Sequence, residues 1–327
     1  HCPSAQGAES RIKKLVADYK EAEASFQLIA ISPNDPLSVR LNELGYAVYG
    51  DTLEEMKKHA VAEEFNFPYL YDGETQSVSR AYGCVATPHV FIFDKDRKLR
   101  YQGRFDDSKF GDPSTVKIED ARIAIDALLA GEEIENTTTR AHGCSTKWAY
   151  KRDLVTQYEK EHKEKAVTQE TIDAESLKKL VANDTDKLRL INLWATWCGP
   201  CLAEMPDLIE IGRQFETRGF DMILLSMDDT KAADDALAVL KRNHAALPRV
   251  TEQSLEEEGR KTNNYLWSGG DTDALADILD EEWNGALPYT VIIAPSGKIV
   301  YRHSGEIDPD EVKRFIVSQL GRWYSPK

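Results

Sequence analysis

The chain has 327 residues, 41% hydrophobic and 30% charged, with a formal net charge of −15 at pH 7. So acidic a balance disfavours sequence-independent binding to nucleic acid, and no stretch approaches the ~20 apolar residues of a membrane span. The length suits about two domains, each able to bury a core.

In chain order, Cys2-Pro3 leads a helix (Ala8 to Tyr19), followed by an apolar strand, Phe26 to Ile31. A helix from Leu53 to Glu64 comes next, then the segment Pro68 to Tyr71 and a short helix ending near Tyr82-Gly83. Thr87-Pro88 precedes a strand, His89 to Phe93, and the turn Asp94 to Arg97 leads to a strand, Lys98 to Gly103. A further helix runs from about Val116 to Leu129. Glu132 to Thr139 is polar loop, and Lys147 to Lys165 reads as an exposed, charged connecting helix with Leu154, Val155 and Tyr158 as a thin apolar stripe.

The second half repeats this order. A short helix, Ala174 to Val181, precedes the apolar run Leu188 to Trp194, which suits a buried parallel strand. Trp197-Cys198-Gly199-Pro200-Cys201 stands where that strand becomes the helix Leu202 to Phe215. Two cysteines two residues apart at a helix start make a dithiol that can open and close, because free N–H groups and the macrodipole favour a thiolate there. That thiolate is the attacking species in thiol–disulfide exchange. A zinc site of the usual type would need two more ligands at motif spacing, and none is visible. Residues 230 to 283 are rich in loop aromatics, which either line a partner groove or staple the loop to its own core. Leu287-Pro288-Tyr289-Thr290 then precedes a strand (Val291 to Ala294), a turn, a second strand (Lys298 to His303) and a helix from Pro309 to Leu320. The repeated order points to duplication at domain scale. We expect an α/β fold of two domains: residues 1–146, a charged linker at 147–166, and residues 167–327.

The motif and its surroundings resemble the thioredoxin superfamily, which implies a central mixed sheet flanked by helices. In that superfamily the proline at the position of Pro288 is cis and clamps substrate. Cys201-Leu202-Ala203-Glu204-Met205-Pro206 is similar to the TlpA-like, extracytoplasmic branch, implying action in the periplasm or, given an upstream anchor, on the outer face of a membrane. Where cytosolic thioredoxins carry a buried aspartate stands Asn192, which cannot titrate. Glu204 lies at i+3 from Cys201, so it is either that thiol's proton partner or a solvated helix-face carboxylate.

Residues 1 to 150 resemble the AhpC/TSA (redoxin) branch of peroxiredoxin-like proteins through His1-Cys2-Pro3, Ser32 to Pro36, Ala81-Tyr82-Gly83, Thr87-Pro88 and Gly143 to Trp148. A thioredoxin-like domain needs a strand before its Cys-led helix, so the first domain is expected to lack its N-terminal strand, with more chain upstream. Cys2 is a candidate nucleophile without a CxxC partner. Cys84 and Cys144 are both candidates to resolve it, and Cys84 is also readable as a small buried residue.

The site residues expected are therefore Cys198 (attacking), Cys201 (resolving), Trp197 (contact surface), Pro288, Glu204 and Cys2. No phosphate loop, dinucleotide fingerprint or metal motif is present, and the remaining histidines are scattered, so neither cofactor nor metal is expected. The function read from this is a thiol–disulfide oxidoreductase, by preference a reductase, acting on protein disulfides and recharged by an upstream thiol donor. Two alternatives stand beside it: a docking subunit of a larger extracytoplasmic assembly, and a thiol peroxidase recycled by the second domain.

Overall fold

The computed structural model describes residues 1–109 and 111–323. The chain divides into two compact units, one of His1–Val155 with the chain from Val317, the other of Thr156–Ile316.

The first unit begins with α1 (Pro3–Glu21), capped by Cys2 with Pro3 in its first turn. There follow β1 (Ala30–Ser32), α2 (Leu53–Ala62), β2 (Tyr69–Tyr71), α3 (Ser77–Tyr82), the strands β3 (Val90–Phe93) and β4 (Leu99–Gly103), and α4 (Asp120–Ala130). β1 pairs parallel with β2, and β3 pairs antiparallel with β4, as two separate two-stranded sheets. Phe26 to Ile31 was expected as strand, yet only Ala30–Ser32 forms a ladder. A strand exists only where a neighbour supplies partners, and β2 faces just those three residues.

Next, α5 (Arg152–Lys163) follows a short 3-10 turn, Ala149–Lys151. This helix was expected to be an exposed strut, but its second half is tied down. His162 is buried and its ring bonds the His244 carbonyl at 3.1 Å, while the Tyr158 hydroxyl donates to Glu216 at 2.9 Å. Residues four apart share a helix face, so Tyr158 and His162 anchor together.

The second unit continues with β5 (Glu170–Ile172), α6 (Ala174–Ala182), β6 (Leu188–Trp194), α7 (Gly199–Gln214), β7 (Phe220–Ser226), α8 (Ala233–Arg242) and α9 (Arg249–Glu257). It is completed by β8 (Asn264–Trp267), α10 (Thr272–Leu279), β9 (Tyr289–Ile293), β10 (Ile299–Ser304) and the greater part of α11 (Pro309–Leu320), whose residues from Val317 on fall in the first unit. Six strands form one mixed sheet in the order β10-β9-β6-β7-β8-β5, in which β9 runs opposite to the other five. Every residue of β6 is buried, as its apolar run demands of a central parallel strand. Ile191 and Leu193 face a core shared with Leu177, Ile223, Leu225, Trp267, Leu275 and Trp283. Alternation sends Leu190, Asn192 and Trp194 to the opposite face, where α7 packs. The loop aromatics Trp267 and Trp283 thus belong to the core and line no groove.

Comparing the units explains the split sheet of the first. Its pairs β1–β2 and β3–β4 correspond to β7–β8 and β9–β10, but among the described residues no strand holds the place of β6. Ile29, Ile31, Leu70, Phe93 and Leu99 are accordingly exposed on its strands or beside them.

Candidate active site

The centre of the second unit is built where β6 ends. β6 and β7 are parallel, so the loops after both strands emerge at one edge of the sheet. Asp228, two residues beyond β7, accepts from the Thr196 N–H at 3.0 Å and from its hydroxyl at 2.6 Å. The Ser226 hydroxyl donates to the same carboxylate at 2.7 Å. This clasp fixes the segment that delivers Trp197 and Cys198.

Cys198 is the N-cap of α7, in extended conformation, and Pro200 stands in the first turn. Such a cap offers unpaired N–H groups to an acceptor, and the Cys201 N–H reaches the Cys198 sulfur at 3.3 Å. The two cysteines are joined by a disulfide, with their Cα atoms 5.3 Å apart. Cys198 keeps 5% of its surface exposed and Cys201 none. An incoming group therefore reaches the sulfur of Cys198 and not that of Cys201. Beside it Trp197 is 71% exposed, an apolar surface at the rim.

Pro288 enters from the neighbouring strand. β9 runs antiparallel to β6 with Tyr289 opposite Leu193, so Pro288 comes level with the end of β6, where the Cys-bearing segment starts. The Leu287–Pro288 bond is cis. Its loop is held from below: the Trp283 indole donates to the Ala286 carbonyl at 2.8 Å, and the Trp283 ring stacks on Tyr289. The Tyr289 hydroxyl and the Arg302 guanidinium both donate to Asp280, each at 2.6 Å.

Glu204 is 1% exposed, so the solvated-carboxylate alternative does not hold. One oxygen accepts from the Asn192 amide at 2.8 Å and the other from the Ile307 N–H at 2.9 Å. The Asn192 amide also donates to the Thr290 hydroxyl at 3.0 Å, linking α7, β6 and β9 behind the dithiol. Burial pushes the Glu204 carboxyl above the usual carboxylate range, against the opposing effect of those two donors. A buried carboxyl that keeps its proton to higher pH is suited to proton transfer.

In the first unit Cys2, Cys84 and Cys144 are free thiols. Cys2 stands at the N-cap of α1, without the side-chain cap hydrogen bond that Cys198 makes at α7, and Thr87–Pro88 is the second cis bond. The Cys2 thiol donates to the Thr87 carbonyl at 3.0 Å, and the Cys144 N–H donates to the same carbonyl at 3.1 Å. The Cys84 thiol is turned elsewhere, donating to the Ala86 carbonyl at 3.3 Å and lying 3.6 Å from the Thr146 hydroxyl; burial raises its pKa. Among the described residues no group of three or more His, Cys, Asp or Glu could hold a metal ion. No described helix is long and apolar enough to cross a membrane.

Sequence reasoning missed Asp228, Asp280 and Arg302. The first had a readable signal, a Ser-Met-Asp run closing an apolar strand parallel to the dithiol strand. The other two act across 22 residues and are joined only by folding.

Comparison with known proteins adds two family matches: the AhpC/TSA family over residues 1–102 and the Redoxin family over residues 166–316. A "Thiol-disulfide oxidoreductase ResA" of Bacillus cereus is 40% identical over 126 residues, covering 38% of this chain and 60% of that protein. A "Thiol:disulfide interchange protein DsbE homolog" of Paracoccus denitrificans is 29% identical over 130 residues, covering 39% of this chain and 58% of that protein. The chain thus spans less than two thirds of the length of either. A crystal structure of a hypothetical protein from Sinorhizobium meliloti 1021 shares 34% identity over 46% of this chain and 75% of its own, with a TM-score of 0.39.

Proposed function

We propose that this chain, in which an AhpC/TSA-family match precedes a Redoxin-family match, is a thioredoxin-superfamily thiol–disulfide oxidoreductase working through Cys198 and Cys201. The reduced Cys198 thiolate attacks one sulfur of a protein disulfide; the substrate S–S bond breaks, a mixed disulfide forms, and the expelled thiolate takes up a proton. Cys201 then gives up its proton, with Glu204 as acceptor, and attacks the Cys198 sulfur. The second substrate thiolate leaves, and the enzyme holds the Cys198–Cys201 disulfide until an upstream thiol donor reduces it. Trp197 supplies the contact surface and the Pro288 loop aligns the incoming chain.

One observation carries this reading: Cys198 sits at the N-cap of α7 with its sulfur partly accessible, while its disulfide partner Cys201 is wholly enclosed. Gly199-Pro200 between them resembles the reducing thioredoxins, which supports reductase as the direction. The names of the ResA and DsbE relatives agree with the chemistry. We assign residues 1–146 to a redoxin-type domain, 147–166 to the link and 167–327 to the TlpA-like domain. Action outside the cytoplasm belongs to the same proposal and rests on the TlpA-like run Cys201 to Pro206. Recovery of the protein from the cytoplasmic fraction of its host would count against that location.

The test is reduction of insulin by the whole chain with dithiothreitol as donor. Cys198→Ser should abolish the protein-dependent rate, and Cys201→Ser should accumulate a mixed disulfide between Cys198 and substrate, visible on a non-reducing gel. Full activity in Cys198→Ser would overturn the proposal.

A further inference from the structure

Behind the dithiol stands a side-chain amide whose hydrogen-bonding capacity is unevenly used. Asn192 is wholly buried, and its Nδ2 serves two acceptors, Glu204 Oε1 at 2.8 Å and the Thr290 hydroxyl at 3.0 Å. Its other end, Oδ1, is enclosed and has no hydrogen-bond partner among the described residues. A buried acceptor left without a donor costs free energy, so its presence here calls for a physical reason. Asn192 and Thr290 are opposite one another in the β6–β9 register, so both side chains share one face of the sheet.

Glu204 supplies the reason. Both of its oxygens accept, Oε1 from Asn192 and Oε2 from the Ile307 N–H at 2.9 Å. Those partners suit a carboxylate. A protonated carboxyl carries an O–H, which needs an acceptor. At Oε2 the partner is a backbone N–H, which can only donate. At Oε1 the partner is a carboxamide, and half a turn about its terminal torsion exchanges donor for acceptor. The oxygen and the NH2 group are close in size, so the turn leaves the packing intact. The Thr290 hydroxyl both donates and accepts, and so can follow it.

We propose that Asn192 is a two-position partner of Glu204, offering Nδ2 while the carboxyl is ionised and turning to offer Oδ1 when it holds the proton from Cys201. The inference rests on the proton role given to Glu204 above, and adds the group that lets that role be repeated. In the step itself the Cys201 S–H bond breaks and an O–H bond forms at Glu204 Oε1. The carboxylate becomes neutral, the new thiolate attacks the Cys198 sulfur, and the amide gains neither proton nor electron. Once the ring has closed, Glu204 returns its proton to solvent and the amide turns back. Each position leaves one end of the amide unsatisfied, the acceptor in one and the donors in the other, so neither locks it. Aspartate at 192 would set two carboxyls against each other, and leucine would serve neither position. Asn192 acts through Glu204 and is a positioning residue.

The charges around the pair are few. Burial raises Glu204, the Ile307 and Asn192 donors oppose it, Glu306 beyond β10 adds to the rise, and His303 on β10 works against it. Cys201 lies one turn earlier on α7.

The experiment follows the Asn192 side-chain amide by 15N–1H spectroscopy in the oxidised full-length chain, where Cys198 and Cys201 do not titrate. Overhauser contacts from its amide protons to the Thr290 side chain should be present above the Glu204 titration and lost below it. The midpoint should equal that of the Glu204 carboxyl carbon. Contacts that persist across the whole titration would overturn the proposal. So would a response with another midpoint, or one retained in Glu204→Gln, which would belong to His303 or Glu306. Asn192→Leu offers a hydrogen bond to neither form of the carboxyl. It should raise the Glu204 midpoint by about one pH unit, the excess of a charge-assisted hydrogen bond over a neutral one. A shift downward, none, or one of about two units or more, the whole of a charge-assisted bond, would contradict a partner that serves both forms. Insulin reduction on the same samples tests the underlying function separately, because the amide is read without turnover.

Discussion

At the residue scale the decisive contrast is between two carboxylates near the dithiol. Asp228 sits among donors and clasps a loop; Glu204 is enclosed, with an amide and one N–H to satisfy it. Because burial raises the Glu204 pKa, the folded chain holds that proton to higher pH than the unfolded chain does. Its contribution to stability is complete below the unfolded value of about 4.3 and is lost as the pH rises through the folded one. Glu204→Gln cannot lose the proton. The urea stability of the natural chain minus that of the variant should therefore fall as the pH is taken from 4 to 8, and a flat difference would contradict the shift. The same substitution should remove one ionisation from the pH dependence of Cys198–Cys201 formation by exchange. An unchanged profile would remove Glu204 from the proton path.

At the scale of elements, the β6–β7 pair carries a buried ionic cluster at the end of the strands remote from the dithiol. Arg189 and Asp221 are register neighbours, 1% and 2% exposed, with the Arg189 guanidinium donating to the Asp221 carboxylate at 3.1 Å. Arg260 donates to the same carboxylate at 2.6 Å and Asn263 at 2.7 Å. Burial pushes Asp221 up, but the charges of Arg260 and Arg189 outweigh it and hold the carboxyl below the ordinary range. Removing one member leaves the others enclosed without compensation. Asp221→Ala should cost about 3–5 kcal/mol, read from the shift of the urea midpoint at constant slope. A loss below about 1 kcal/mol would place the pair among weak surface-like bridges.

For the whole molecule, the two units differ in what they bury. The second encloses β6 completely and collects large side chains such as Trp194, Trp267, Leu225 and Ile293. Among the described residues, the buried apolar side chains of the first include Ala8, Ala47, Ala86, Ala121 and Ala124, while several strand-borne side chains stay exposed. Burial contributes roughly 25 cal/mol per Å² of apolar surface, so cores so unequal should not melt together. Urea should remove part of the helical circular dichroism, including that of α1, before the fluorescence of Trp194 and Trp267 changes. A single transition seen identically by both probes would show one cooperative body instead.

Much of the second unit is legible in the sequence alone. The apolar run of β6, the cysteines at its exit and the hairpin after Pro288 are local patterns whose periodicity and turn residues dictate strand, helix start and reversal. The superfamily could be named from them. Local pattern could not tell a solvated Glu204 from an enclosed one, place Trp283 in the core, or choose between Cys84 and Cys144 as the neighbour of Cys2. Each of those depends on which distant segments meet: Ile307 on Glu204, Tyr289 on Trp283, Gly143 on Thr87. Such meetings are set by the packing of sheet and helices as a body, and burial, more than spacing, turns the same side chain into a solvated charge, a core staple or a reactive group.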